Sequence, residues 1–409
     1  MAEKEINTVK HLMENWRRFV ELHESANPAT IKKIQAAITQ AGGESYITGG
    51  AVRDSLMPDV PESKDVDFIV TGIPLDKIAQ VLAPLGKINQ VGKSFGVVIA
   101  NIDGEDFDIA IPRTGETKTG EGHGDFDVTT DPNAPVESDL QRRDFTMNAM
   151  AKDSQGNIVD LYGGQEDIKN KIIRAVGDPT ERFSEDPLRM LRALQFAVRF
   201  DFTIEPKTAD AIKKLSEKFK TISAERVLGE FKKAWTKGKR NSAQFINLLQ
   251  ELGVGETLFG PDFQPRPAEI SGNGEQLVNG NFVAFFLLGG DPSSLKPSND
   301  MMKHLEIAQT ALSGEKAVWE YAGKDKDKLP LIVQVLKSFD KEAAANVEKA
   351  LSLPMTPKEL AVGGKELMSL GLKGPQIGQA QQEILRAIHS GEIQNEPEDI
   401  ETLLRNITA

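Results

Sequence analysis

Hydrophobic periodicity changes character once along this 409-residue chain, and the change limits the architectures open to it. Up to about residue 112, short runs rich in β-branched and aromatic residues (SYITGG, DVDFIVTG, GVVIANI and EDFDIAIP) are divided by Gly, Asp and Pro, the signature of strands. Asp103-Gly104 lies between two of them and predicts a type I′ hairpin turn, which needs φ > 0 at both central residues. From about Pro179 onward the strand signals fade, and Leu, Ala, Lys and Glu at helical spacing dominate to the C-terminus. An α/β (α+β) N-terminal module followed by an all-α remainder is expected. Ile6, Val9, Met13, Trp16, Phe19 and Val20 predict an accessory helix over 3–25, ended by Asn27-Pro28, and a second helix is expected over about 30–41. Residues 260–300, rich in Gly, Pro, Asn and Ser, read as loops, and the segment near 352–358 as a boundary before a tail.

Composition narrows the chemistry. With no cysteine, a disulfide framework, a thiolate nucleophile and a cysteine-ligated zinc or iron–sulfur site are excluded, and five scattered histidines offer no HxxxH or HD pairing. No stretch approaches the roughly 18 to 20 uninterrupted apolar residues of a membrane span, and MAEKEINTVKHLMENW is too acidic and polar for a signal or transit peptide. A cytoplasmic location without membrane attachment is expected. The formal charge of −12 argues against an indiscriminate polyanion binder, yet Lys213 to Arg240 holds ten Lys or Arg against three Glu. That run is either a solvated helix face or a local surface for phosphates.

In SKDVDFIV, strand alternation puts Asp65, Asp67 and Ile69 on one face and Val66, Phe68 and Val70 on the other. Two carboxylates about 6 to 7 Å apart along a strand repel unless a cation lies between them, and oxygen-only ligands that leave room for waters and phosphates suit Mg²⁺. A third acid is available in GEDFDIAIPR, where Asp106 and Asp108 share a face. The alternative is a solvated strand edge. TGGAVRD upstream shifts the balance: Gly49-Gly50 lets the backbone approach a phosphate, and Arg53 follows at a distance suited to grasping it. A phosphate cradle beside a metal site is the minimum apparatus for transferring a nucleotidyl group to a hydroxyl. Gly92-Lys93-Ser94 imitates a P-loop, but Lys87 stands where the first glycine is required, so Gly92 to Gly96 reads as a turn into the next strand.

Further on, SDLQRRDFTMNAMA offers Arg142-Arg143-Asp144 to a sugar and phosphates with Phe145 and Met147 packed behind, or forms a helix-start charge cluster. VDLYGG, 159–164, reads as a structural turn. In FSEDPLRMLRALQFAVRF, Ser184 or Asp186 can cap a helix with Pro187 in its first turn, and Asp186, Arg189 and Arg192 fall near one face. A carboxylate that accepts beside a guanidinium that donates matches the base edge of cytosine and adenine and mismatches guanine and uracil. An intrahelical Asp–Arg pair on a wet surface is the alternative.

Taken together, TGGAVRD, DVD, RRDFTMNA, DLYGG, EDPLRMLRA and ISAERVLGE, in this order, resemble the class II tRNA nucleotidyltransferase and bacterial poly(A) polymerase family. The resemblance is close over about 44–240, and LAVGGKELMSLGLKGPQIGQ, 360–379, is similar to the C-terminal segment of bacterial CCA-adding enzymes. It implies a nucleotidyltransferase head or palm over 31–155 after the accessory helix (1–30), a nucleotide-selecting neck over 156–240, a helical body over 241–350 and a tRNA-binding tail over 351–409. It further implies Asp65 and Asp67 as Mg²⁺ ligands, Asp108 as the third catalytic acid, and Gly49, Gly50, Arg53, Arg143, Asp144, Asp186, Arg189 and Arg192 as nucleotide-binding residues. Gln195 departs from the pattern, since many members carry a further arginine there, and Glu225 with Arg226 match a motif usually considered structural. Thr114 to Glu137 corresponds to a flexible loop used in switching from CTP to ATP, and no HD-type phosphohydrolase domain is present. The implied partners are CTP, ATP and the 3′ end and acceptor stem of tRNA, with no membrane and no protein partner evident. The rival expectations are a poly(A) polymerase, a partial CC- or A-adding enzyme, an RNA-binding protein that has lost catalysis, and a transferase acting on a small molecule such as an aminoglycoside.

Overall fold

The structure is a computed structural model that describes residues 26–408 apart from 62, 64, 90–95, 119–125 and 238–241. The expected helix over 3–25 and the Gly92-Lys93-Ser94 turn lie outside the described residues. The chain divides into two compact units, residues 1–189 with 202–212 and residues 190–201 with 213–409.

The first unit is built on a mixed sheet. Its strands are β1 (Glu44–Thr48), β2 (Asp67–Thr71), β3 (Gly86–Asn89), β4 (Val97–Ile102), β5 (Glu105–Ala110), β8 (Met150–Lys152) and β9 (Ile158–Asp160), in the order β3-β4-β5-β2-β1-β8-β9. Among the described residues of this sheet, β2 and β5 are the pair that runs parallel. The sheet thus takes Ile158–Asp160 as its edge, past residue 155, where the head was expected to end. Val66, Phe68 and Val70 enter one core with Phe107, Ile109, Val98 and Ala100, as alternation predicts. Helices Pro28–Gln40 and Leu75–Leu82 cover that face through Ile34 and Ile38 from one and Ile78 and Leu82 from the other. The Pro28–Gln40 helix starts where Asn27 accepts from the Ala29 amide at 2.9 Å, with proline in the first turn.

The expected hairpin turn is present: Asp103 and Gly104 have φ of 54° and 88°. Asp103 also accepts from Thr30 Oγ1 (2.8 Å) and Lys33 Nζ (2.7 Å), so the turn is tied to the first helix. Thr114 to Glu137, expected as a loop, instead contains the ribbon of β6 (Arg113–Lys118) and β7 (Phe126–Thr130), antiparallel to each other, and ends at a short helix, Glu137–Leu140. The opposite face of the sheet packs Ile69 and Ala151 against Val136 and Leu140 beside that helix. In DLYGG, Asp160 accepts from the amides of Gly164 (2.8 Å) and Gln165 (2.9 Å), starting helix Gly164–Lys169. Short β10 (Ile172–Ile173) and β11 (Thr203–Ile204) close this unit as a parallel pair.

The second unit is helical from Lys213 onward. Phe231, on helix Ala224–Lys237, is fully buried and meets Trp235, Phe245, Phe259 and Phe285 edge-on at 4.9 to 6.2 Å between ring centroids. Residues 260–300 are not all loop, contrary to the composition reading: Gly274–Phe286 is a helix that buries Phe282, Val283, Phe285 and Phe286. Its low-propensity glycines and asparagines are overridden by a capping box between Asn273 and Gln276 and by that apolar face. Gly280 lets Ile270 and Leu331 pack tightly against the helix. The tail has its own core of Leu360, Val362, Leu367, Ile384, Leu385 and Ile400, joined by Trp319. Among the described residues no helix is long and apolar enough to cross a membrane.

Phe231→Ala removes the ring at the centre of this aromatic cluster and is expected to cost about 3–5 kcal/mol, read as a lower urea midpoint at unchanged slope. A midpoint within error of the parent would show that the cluster does not hold the helical unit together.

Candidate active site

One row of register partners crosses the middle of the sheet: Ala151 on β8, Thr48 on β1, Asp67 on β2, Asp108 on β5 and Ile99 on β4. Because β2 and β5 are adjacent, Asp67 and Asp108 stand side by side, roughly 5 Å apart by ladder spacing, and both are exposed. The sequence reading paired Asp65 with Asp67 along one strand, whereas β2 begins only at Asp67. Asp65 precedes it, exposed, with its carbonyl accepting from Ser63 Oγ at 3.1 Å. Asp106 shares the face of Asp108 but accepts from the Asn101 side-chain Nδ2 at 2.7 Å.

The Asp67 carboxyl is pushed up to about 6. Its protein surroundings shield it from water, the largest cause, although one flank opens onto a cleft; Arg143 opposes the rise, while Asp108, Asp65 and Asp139 add to it. The cleft is a cavity of about 310 Å³ with Asp67 and Asp108 on its floor and Arg113, Arg142, Arg143 and Arg189 among its lining. A cavity lined by both acids and guanidiniums suits a ligand that brings both a cation and phosphates.

Gly49 has φ 67° and ψ −127°, backbone that L side chains rarely adopt, and a Cβ there would lie 2.5 Å from Arg143 Nη1. Arg143 Nη2 donates to Thr48 Oγ1 (2.9 Å) and to Asp139 (3.1 Å), and Nη1 to the Asn148 carbonyl (3.4 Å). The Gly-Gly turn is therefore where the strand row meets the RRD segment. Arg53, expected on the triphosphate, is 4% exposed: its Nε donates to Asp54 at 2.7 Å and its Nη1 to Asn148 Oδ1 at 2.7 Å. Asn148 in turn donates to Asp144 Oδ1 at 3.0 Å, which also accepts from the Phe145 amide at 2.8 Å. Arg53 and Asp144 thus belong to one buried network, with Phe145 and Met147 fully buried beside it.

Asp186 does not share a helix face with Arg189. The chain breaks between helices Pro179–Glu185 and Leu188–Phe200, and Asp186 has extended backbone (φ −140°, ψ 103°) with Oδ1 accepting from the Leu188 amide at 3.1 Å, the capping role expected of it. Arg189 lines the cavity and donates to Glu185 (2.7 Å) and to the carbonyls of Arg182 (3.1 Å) and Arg142 (3.0 Å). Arg182 beside it is held below the usual guanidinium range, first by burial and then, against the pull of Glu185, by Arg189 and Arg142. Arg192 lies in the second unit, its guanidinium 5.1 Å from the Phe196 ring. In the same unit Gln195 is 2% exposed and its Nε2 has no partner among the described residues.

Sequence reasoning missed Thr48, Asp139, Arg113 and Asn148. Asp139 and Arg143 stand at i and i+4, a spacing that could have been read, and Thr48 adjoins the glycines. Nothing local signals that Asn148 bridges Arg53 to Asp144.

Comparison with known proteins places this geometry. Residues 45–174 match the family described as "Poly A polymerase head domain", and 201–265 match the "Probable RNA and SrmB- binding site of polymerase A". A CCA-adding enzyme of Pediococcus pentosaceus is 31% identical over 90% of this chain and 94% of its own length, and one of Lactobacillus helveticus is 32% identical over 91% and 96%. The chain belongs to the CCA-adding enzyme family. It is a nucleotidyltransferase, and its fold matches the crystal structure of a Bacillus stearothermophilus CCA-adding enzyme in complex with CTP, with a TM-score of 0.67 at 30% identity over 93% of this chain and 98% of that one.

Polymerase-type nucleotidyltransferases generally use a divalent metal. Among the described residues no three His, Asp or Glu come together as a closed metal site. Two carboxylates on adjacent strands fit an ion that completes its shell with phosphates and water, and the repulsion acting on Asp67 is what such an ion relieves.

Gly49→Ala forces strained backbone and displaces Arg143, so a loss of about 1–3 kcal/mol and a weakened nucleotide affinity are expected by melting and calorimetric titration; unchanged affinity would rule out the turn's role. Because the folded-state value of Asp67 is raised from 3.8 to about 6, folding takes up a proton between those values, and stability present below pH 4 is lost as pH rises through 6. Asp67→Asn is therefore expected to be more stable than the parent at pH 7.5 in chelator, by on the order of 1 kcal/mol once discounted for the exposed flank, with the gap shrinking toward pH 4.5. A lower melting temperature for the variant at pH 7.5 contradicts this.

Proposed function

We propose that this chain adds C, C and A in turn to the 3′ end of tRNA, using CTP and ATP and releasing pyrophosphate, in the cytoplasm. The observation that carries the reading is the Asp67–Asp108 floor beneath an arginine-lined cavity, in a chain that matches CCA-adding enzymes over nine-tenths of its length. Asp67 and Asp108, with Asp65 beside them, would hold Mg²⁺, which supplies activation of the 3′-hydroxyl and neutralisation of charge on the departing pyrophosphate when bound. Gly49 and Gly50 give the triphosphate close access to backbone, and Arg143, fixed by Asp139 and Thr48, faces it across the cavity. Arg53 supports the turn from below through Asn148 rather than reaching the phosphates itself.

Asp186 and Arg189 choose the base. The carboxylate accepts from the amino group of cytosine or adenine and the guanidinium donates to the adjacent ring nitrogen; guanine and uracil oppose acceptor to acceptor and donor to donor. Arg192 is read as a further nucleotide-binding residue. The run from Lys213 and the tail over 360–379 supply tRNA contacts; part of the run is neutralised within itself, as in Glu217–Lys220 and Glu230–Lys233.

The deciding assay incubates protein and Mg²⁺ with tRNA ending at the discriminator base, offers CTP, ATP or both, and sizes products at single-nucleotide resolution. Growth by three nucleotides and then arrest is expected; a long A tail supports the poly(A) polymerase alternative on the same head domain, and arrest after C-C or growth by A alone a partial enzyme. Asp67→Ala and Asp108→Ala are each expected to lower transfer by more than the roughly 100-fold typical of outer-shell changes while leaving tRNA affinity within a factor of two or so. Near-normal transfer by either variant removes that acid from the mechanism.

A further inference from the structure

Arg113 stands apart from its neighbours on the cavity wall. Arg143 is engaged by Asp139 and Thr48, and Arg189 by Glu185, whereas the half-buried guanidinium of Arg113 makes no hydrogen bond or ion pair among the described residues. It does not pair with Asp67 or Asp108, although they line the same cavity.

Its backbone is fixed on both sides. Pro112 precedes it and accepts from the Asp131 amide at 3.1 Å, and the Ile111 amide donates to the Gly96 carbonyl at 3.1 Å. Arg113 pairs with Thr130 and Gly115 with Thr129, so Thr114 is the extra residue of a β-bulge, its Oγ1 donating to the Thr129 carbonyl at 3.4 Å. A bulge turns a side chain out of the regular alternation of its strand, and such devices recur beside active sites. The result is a rigid base carrying an uncommitted cation.

An uncommitted cation that shares a cavity with carboxylates yet pairs with neither is suited to an anion that arrives with the substrate. We infer that Arg113 is a catalytic residue that holds the β- and γ-phosphates of the incoming nucleotide and the pyrophosphate that leaves; the inference rests on the function proposed above. As the 3′-oxygen bonds to the α-phosphorus, the bond from that phosphorus to the bridging oxygen breaks. The electron pair goes to pyrophosphate, and the hydroxyl proton passes to water. Negative charge builds on the leaving group, where a guanidinium is worth most. A residue that reads only phosphates treats CTP and ATP alike and also binds pyrophosphate when the reaction is run backwards.

The test measures both directions for the parent, Arg113→Gln and Arg113→Lys: single additions of C and of A, and removal of the terminal A from mature tRNA by pyrophosphate. In Arg113→Gln, kcat/KM for CTP and for ATP is expected to fall together by about tenfold or more, and KM for pyrophosphate to rise by a similar factor, while melting temperature and tRNA affinity stay at parent values. Arg113→Lys should recover part of both losses, which a purely structural role would not produce. An unchanged pyrophosphate KM, or a defect confined to one nucleotide, overturns the assignment. If the parent itself fails to add C, C and A, the proposed function falls; if it succeeds and Arg113→Gln matches it, only the Arg113 inference falls.

Discussion

Two carboxylates held side by side on neighbouring parallel strands cost free energy until something positive joins them, and the first unit of this protein is arranged around that cost. The spacing is set from behind. Phe68 follows Asp67 and Phe107 precedes Asp108, both rings are fully buried on the opposite face, and their centroids lie 6.1 Å apart. Relaxing the acids apart would require repacking that core, which is dense enough to resist it. Strand pairing and core packing therefore hold Asp67 where burial first, and the neighbouring acids after it, raise its carboxyl, and a cation bound between Asp67 and Asp108 would relieve both. This is a physical form of the familiar conflict between stability and activity.

Opposite the acids, the arginines are held at different tensions. Arg143 is committed, through Asp139, Thr48 and the Asn148 carbonyl, to joining the end of β1 to the RRD segment. Gly49 is what lets it come so close, because any side chain there would occupy the guanidinium's position. Beneath them the buried run from Arg53 through Asn148 to Asp144 is hydrogen-bonded at each link, so it stiffens the turn rather than leaving a charge exposed to low dielectric. Arg113, by contrast, is left uncommitted on a rigid bulge.

How much of this was legible in the sequence follows from how local each feature is. The strands, the Asp103-Gly104 turn, the two-residue alternation of Val66, Phe68 and Val70, and the capping role of Asp186 depend on near neighbours and were read correctly. Spacing along a strand is visible and register across a ladder is not, so the sequence suggests Asp65 beside Asp67 and does not disclose that Asp108 is the register partner of Asp67. The burial of Arg53 is not legible locally, because its partner Asn148 lies 95 residues away. The helix Gly274–Phe286 was read as loop because its glycines and asparagines speak locally for turns, while its buried phenylalanines answer to tertiary packing.

The break at Asp186 carries a consequence for selection of the nucleotide. Had Asp186 and Arg189 shared one helix, their separation would be fixed by helical geometry. Extended backbone at Asp186 sets the acid by the turn between two helices, while the Arg189 guanidinium is held by Glu185, the Arg182 carbonyl and the Arg142 carbonyl. The last of these belongs to the residue next to Arg143. A shift of the RRD segment thus moves Arg189 and Arg143 together; under the function proposed above, a nucleotide whose base is mismatched would also find the phosphate grip out of place. On that proposal discrimination would not rest on base hydrogen bonds alone, because mispairing at Arg189 would be transmitted to the groups that align the α-phosphorus.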